Sequence, residues 1–209
     1  MPGGRLCHTT AGIGRQSNGE AGIDGLRERK RADSRARVLD VALVLFAEHG
    51  YEAVTVADIC AAAGIAPRTF FRYFPTKEDV LAQPVQAMSD LMRREVLAAP
   101  AGLSDAEVLT RATLALGAVL VADRDRMTGL FRSARQASAV RAHPFLRLAD
   151  RELELASDLA ARSGTGTPDW RTRLTVARRT AAFRVWLDDL VDGVAGDPLA
   201  HLREILAAA

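Results

Sequence analysis

The segment from Gly50 to Leu81, GYEAVTVADICAAAGIAPRTFFRYFPTKEDVL, constrains the fold of this chain more than any other. Thr55-Val56-Ala57-Asp58 has the form of a capping box, so a helix starts there. Val56, Ile59, Cys60 and Ala63 follow at helical spacing and make one apolar face. Gly64 supplies positive φ for a tight turn. Ile65 plugs that turn, and Pro67 suits the first position of a new helix. Phe70 and Phe74, four apart, face a core, and Pro75 ends the helix. The pattern predicts a helix-turn-helix whose second helix is short and displayed.

The rest of the chain reads as helical. Alanine and leucine are abundant, aromatic residues make up 5%, and 48% of the chain is hydrophobic. That favours an all-α protein. Residues 1–32 show no helical or strand period and read as a disordered arm. The arm's end, Arg27-Glu28-Arg29-Lys30-Arg31, suits either a solvated tail or an arm along phosphates. A first helix is expected from Asp33 or Ser34. Val38, Ala42, Leu45, Phe46 and His49 lie at its helical spacing, and Gly50 closes it. Residues 33–82 then form a three-helix DNA-binding domain, and residues 83–209 a helical domain.

In the second domain, a helix begins near Thr76 and runs toward Ala98, with a bend expected at Pro84. Ser104–Ala122 is apolar on nearly all sides in its second half and is expected to be central and buried. A shorter helix covers about Arg124–Val140, His143-Pro144 breaks the chain, and another helix follows to Arg162. A long helix covers Asp169–Ala195 and has two apolar faces. One carries Val176, Phe183, Trp186, Leu187, Leu190 and Val194; the other carries Trp170, Leu174, Ala177, Ala181 and Val185. Asp197-Pro198 opens a last helix.

Several classes of function find no support. His8, His49, His143 and His201 are scattered, and no nucleophile elbow, H-E-x-x-H or phosphate-cradling glycine loop occurs. No enzyme, metal site or cofactor is expected. Cys7 and Cys60 lack metal or redox spacing. The longest apolar run, Ala112–Ala122, is too short to span a bilayer. The N-terminal residues lack an apolar core of signal-peptide length, so no secretory signal is expected among them. A cytoplasmic protein without membrane contact is the expectation.

The displayed helix carries the chemistry. With Phe70 and Phe74 turned inward, Pro67, Arg68, Phe71 and Arg72 remain on the outer side. Arginine can grip guanine O6 and N7 with two hydrogen bonds, and Phe71 can pack on a thymine methyl. Thr69 belongs to the same surface. Tyr73 and Lys77, where the helix leaves a groove, suit phosphate, as does Thr55 at the start of the preceding helix. Between residues 34 and 83, Arg35, Arg37, Arg68, Arg72 and Lys77 face Asp40, Glu48, Glu52, Asp58, Glu78 and Asp79. This balance disfavours the alternative of a non-specific architectural DNA binder, which depends on neutralising phosphates.

Residues 34–81 resemble the DNA-binding domain of TetR-family transcriptional regulators. The likeness rests on Phe46-Ala47-Glu48-His49-Gly50-Tyr51, Thr55-Val56-Ala57-Asp58-Ile59, Ala63-Gly64-Ile65, Arg68-Thr69-Phe70-Phe71-Arg72-Tyr73-Phe74 and Lys77-Glu78. Ala66 departs from the Ser or Thr usual in the family, which removes a cap and a phosphate contact. The resemblance implies a homodimer paired through its last two helices. It also implies a palindromic double-stranded operator and a repressor released by a small ligand. A pocket would lie among the helices of the second domain, with Met88, Met92, Leu116, Phe131, Phe145, Arg179, Phe183 and Trp186 as candidate lining. Arg179 shares a stripe with Phe183 and Trp186; it suits snorkelling, pairing with Asp150 or Glu152, or an anionic ligand head group. A weaker likeness around His143-Pro144-Phe145 and Trp186 to members described as binding acyl-CoA-like ligands makes such an effector one alternative.

Overall fold

The computed structural model describes residues 18–136, 148–194 and 196–209. Every regular element among them is a helix. In chain order these are α1 (Asn18–His49), α2 (Val56–Ala63), α3 (Pro67–Tyr73), α4 (Glu78–Leu97), α5 (Asp105–Ala122), α6 (Arg124–Gln136), α7 (Leu148–Arg162), α8 (Trp170–Asp192) and α9 (Pro198–Ala208). The all-α expectation is met.

The chain divides into two units, Met1–Arg37 and Val38–Ala209. The first holds the opening turns of α1, which begins at Asn18 and not near Asp33 or Ser34. Residues 18–32 are therefore helical and not a disordered arm. Leu26-Arg27-Glu28-Arg29-Lys30-Arg31-Ala32 are strong helix formers, and extending a helix costs far less than nucleating one. With no apolar stripe, that helicity left no periodic signal in the sequence. Residues 1–17 lie outside the described residues.

The second unit starts with the core of the helix-turn-helix. Val38, Ala42, Leu43 and Phe46 of α1 meet Ile59, Cys60 and Ala63 of α2, Phe70 and Tyr73 of α3, and Phe74 just after it. Val80 and Leu81 of α4 and Leu130 of α6 complete the group. Thr55 and Asp58 form a full capping box at the head of α2. After α2, Gly64 has φ 65°. Its N–H donates to the Ala61 carbonyl and that of Ile65 to the Cys60 carbonyl, which is a Schellman closure. Ile65 packs back onto the core, so the turn's direction is fixed by both backbone and side chain.

Two further apolar groups hold α4 to α9 together. Val96, Val108, Leu109, Ala112, Ala156, Leu159 and Val176 form one. Leu116, Leu120, Ala182, Trp186, Leu190, Leu202 and Leu206 form the other. Ser104, Asp169 and Asp197 cap α5, α8 and α9 through their side chains. Helix α4 runs through Pro84 unbroken. The second half of α5 is less enclosed than its composition implies. Leu116, Gly117 and Leu120 are buried, but Val119 is 55% exposed. Gly193, at φ 74°, ends α8 and leaves Val194 solvent-facing instead of on the inner stripe.

Candidate DNA-binding face and ligand cavity

Helix α3 is two turns long. Phe70 and Phe74 are fully buried, which turns Pro67, Arg68, Phe71 and Arg72 outward together. Phe71 is 53% exposed and meets the edge of Phe70 at a ring separation of 5.5 Å. Ala66 precedes the helix and makes no side-chain cap. Thr69 is half-buried. Arg68 and Arg72 lie one turn apart on this face, a spacing that suits two neighbouring base or phosphate contacts.

Three of the expected phosphate ligands are engaged within the protein. Tyr73 is buried, not displayed: its ring is 9% exposed and joins the core. Its hydroxyl accepts from Arg72 Nη2 at 3.3 Å, and the Arg72 guanidinium lies over its ring. The signal was available, since Tyr73 is three residues after Phe70 and shares its face. Lys77 Nζ donates to the carbonyls of Tyr51 and Val54, each at 2.9 Å, and sits 3.9 Å from the Tyr51 ring centre. It ties the start of α4 to the α1–α2 connection. Nothing local in the sequence announces contacts to residues so far upstream. The Thr55 hydroxyl donates to Asp58 Oδ2 and accepts the Asp58 N–H.

Tyr51 donates from its hydroxyl to Glu78 Oε1 at 2.7 Å. Burial and then the Glu78 carboxylate push the Tyr51 hydroxyl far above its ordinary pKa. Burial alone would raise Glu78, but the hydrogen bonds from Tyr51, its own backbone and Thr76 hold it below the usual carboxylate value.

A cavity of about 1030 Å³ opens between α4, α5, α7 and α8, large enough for a drug-sized molecule. Met88, Met92, Leu116, Arg179 and Phe183, all expected from the sequence, line it. Trp186 does not. It is fully buried behind Phe183, and its indole N–H donates to the Pro198 carbonyl at 2.7 Å. Phe131 packs on the third apolar group and not on the cavity. Phe145 lies outside the described residues. Helical spacing identifies an inward stripe, but only the neighbouring helices decide whether it meets a void or a side chain. The wall also includes Thr113, Arg151 and Thr180, which no sequence pattern singles out. Arg179 pairs with neither Asp150 nor Glu152; its guanidinium donates to the Leu206 carbonyl. Burial, then the neighbouring Arg178 charge, holds it below its ordinary pKa.

Among the described residues, no group of His, Cys, Asp and Glu could hold a metal ion. None of their helices is long and apolar enough to cross a membrane.

Residues 38–83 match the family model of bacterial regulatory proteins, tetR family. The chain is 33% identical over 168 residues to the HTH-type transcriptional regulator TcmR of Streptomyces glaucescens, covering 77% of this chain and 74% of that protein. It is 31% identical over 181 residues to the HTH-type transcriptional repressor KstR of Rhodococcus jostii, covering 81% and 77%. Its fold is similar to the crystal structure of the transcriptional regulator FadR from Bacillus subtilis in complex with stearoyl-CoA. There the TM-score is 0.61 at 18% identity, covering 82% of this chain and 95% of that one.

Proposed function

This chain belongs to the TetR family of bacterial regulatory proteins, whose compared relatives are transcriptional regulators and not enzymes, and we propose that it is a homodimeric repressor of a palindromic operator, released by a small molecule. The observation that carries the reading is the outward face of α3, where Pro67, Arg68, Phe71 and Arg72 are exposed over a filled core. A helix presented this way fits the major groove. We assign residues 33–82 to DNA binding and 83–209 to ligand binding and dimerisation, in a cytoplasmic protein.

The second face of α8 supports the dimer. Trp170, Leu174 and Val185 are each at least half exposed, and with Ala177 and Ala181 they repeat at three- and four-residue intervals. An apolar stripe of that spacing is suited to a helical partner. Two α8–α9 pairs would then bury each other as a four-helix bundle and set the separation of the two α3 helices.

Two helices run between the cavity or dimer helices and the DNA-binding core. Helix α4 gives Val80 and Leu81 to that core and Met88 and Met92 to the cavity. Helix α6 gives Leu130 to the core, pairs Arg126 with Asp40 of α1, and pairs Arg135 with Asp188 and Asp192 of α8. A ligand that favours one arrangement of α4 would change the half-site spacing the dimer accepts.

Fluorescence anisotropy on a duplex from upstream of the protein's own coding region, against a scrambled duplex, tests the operator reading. Preference for the native duplex, lost in Arg68→Ala, is expected. Equal affinity for both would favour the non-specific architectural alternative.

A further inference from the structure

The effector cavity carries polar groups that are unevenly satisfied, and these identify a ligand class. Arg179 is half-buried, and its guanidinium donates to the Leu206 carbonyl. No carboxylate among the described residues comes within ion-pair distance of it. The other cavity arginines are engaged: Arg93 with Asp158 at 3.4 Å, and Arg151 with the Ser89 hydroxyl. Thr113 is 2% exposed and lines the same cavity. Thr110 and Thr180 donate to carbonyls of their own helices, whereas the Thr113 hydroxyl bonds no described residue. No fully enclosed polar side-chain atom among the described residues lacks a partner, and the cavity is the wall on which Thr113 is found. A half-buried cation with no carboxylate beside it gains from a counter-charge, and a hydroxyl in a narrow apolar setting gains from a partner. An incoming anion serves both.

The remaining wall limits the size of that anion. Asp90, Asp150, Glu152, Glu154 and Asp158 lie on the α4 and α7 sides. A head group bearing several phosphates would meet those carboxylates, whereas one compact charge at Arg179 need not. Met88, Met92, Leu116 and Phe183 offer an apolar surface beside it.

We propose that the cavity takes an apolar molecule with a single compact negative charge, such as a carboxylate, sulfonate or phenolate. The charge sits at Arg179 and the Thr113 hydroxyl, and the apolar body sits on the methionines, Leu116 and Phe183. This rests on the assignment of the cavity as the effector site.

Two dyes that share one aromatic skeleton test it on the full chain. 1-Anilinonaphthalene-8-sulfonate carries a sulfonate, and N-phenyl-1-naphthylamine lacks it. The sulfonate dye is expected to bind more tightly to the wild type. Arg179→Met should weaken it at least tenfold and leave the neutral dye within twofold, and Arg179→Lys should restore part of the loss. An unchanged sulfonate affinity in Arg179→Met, or no preference between the dyes, overturns the proposal. If Arg179→Met does not fold, Thr113→Val replaces it, with a severalfold loss confined to the sulfonate dye expected. Dodecanoate should displace the sulfonate dye at lower concentration than dodecanoyl-CoA; the reverse order refutes the single-charge limit. Leu116→Trp, which fills the cavity, separates the two levels of inference. Loss of both dyes from a Leu116→Trp protein that keeps the wild-type melting temperature supports the cavity as their site. Retention of both sinks the effector-site assignment itself, whatever the charge dependence.

Discussion

Among individual residues, α3 divides into side chains that face outward and side chains that hold the core. Arg68 stands outward and does not enter the core. Arg68→Ala is expected to leave thermal stability within about 0.5 kcal/mol and to cost roughly 1–3 kcal/mol of operator discrimination, as measured by anisotropy against single-base variants of the site. Tyr73 behaves in the opposite way. Its ring is core, so Tyr73→Ala should destabilise the fold by about 3 kcal/mol or more, visible as a lowered urea midpoint without DNA. Tyr73→Phe keeps the ring and should stay within about 1 kcal/mol. A full-stability Tyr73→Ala protein would contradict the burial. Lys77 belongs with Tyr73, because it joins two backbone carbonyls and covers the Tyr51 ring.

Among the helices, caps and turns decide where each begins and how they meet. Gly64 occupies left-handed backbone, and a methyl group added at its Cα would have open space around it. The cost of Gly64→Ala is therefore conformational and not steric. About 1–2 kcal/mol of destabilisation is expected, read from denaturant unfolding. The cap carboxylates Asp58, Glu107 and Asp169 are held below their ordinary pKa by hydrogen bonds from Thr55, Ser104 and the Thr172 backbone respectively. Glu78 is lowered as well. Since folding lowers these values, their contribution is complete above the unfolded carboxylate pKa of about 4 and is lost as pH falls through the folded values. The melting temperature should therefore drop between about pH 5 and pH 3. Tyr51→Phe should shrink the part of that drop due to Glu78. The Thr55–Asp58 capping box was legible in the sequence because it needs only residues three positions apart. The helical start of α1 was not, because a helix polar on all sides has no stripe to detect.

Across the molecule, two close approaches test the architecture. A Cβ at Gly129 would lie 2.8 Å from the Ala47 Cβ, a contact with no flexible atom to yield. Gly129→Ala should cost about 1–3 kcal/mol by forcing α6 from α1, detected as a lower melting temperature. The exposed α8 stripe makes the second test. Replacing Leu174 and Val185 with glutamate is expected to give a folded monomer in sedimentation velocity, with operator affinity reduced severalfold or more. A dimer of unchanged stability would place the interface elsewhere.

The all-helical class, the turn between α2 and α3, the inward set around Phe70 and Phe74, and the apolar residues that could face a pocket all follow from the chain read alone. They depend on local geometry: the 3.6-residue period, the reach of a cap, and glycine's freedom at positive φ. The assembly of the helices settled the rest. It put Tyr73 and Lys77 to work holding the DNA-binding unit together, made Trp186 and Phe131 core and not cavity wall, and set Arg179 against the Leu206 carbonyl. Each of those outcomes depends on which helix arrives opposite. Lys77 and Tyr51 are 26 positions apart, and Arg179 and Leu206 are 27. No periodicity within one helix encodes the partner that another helix brings.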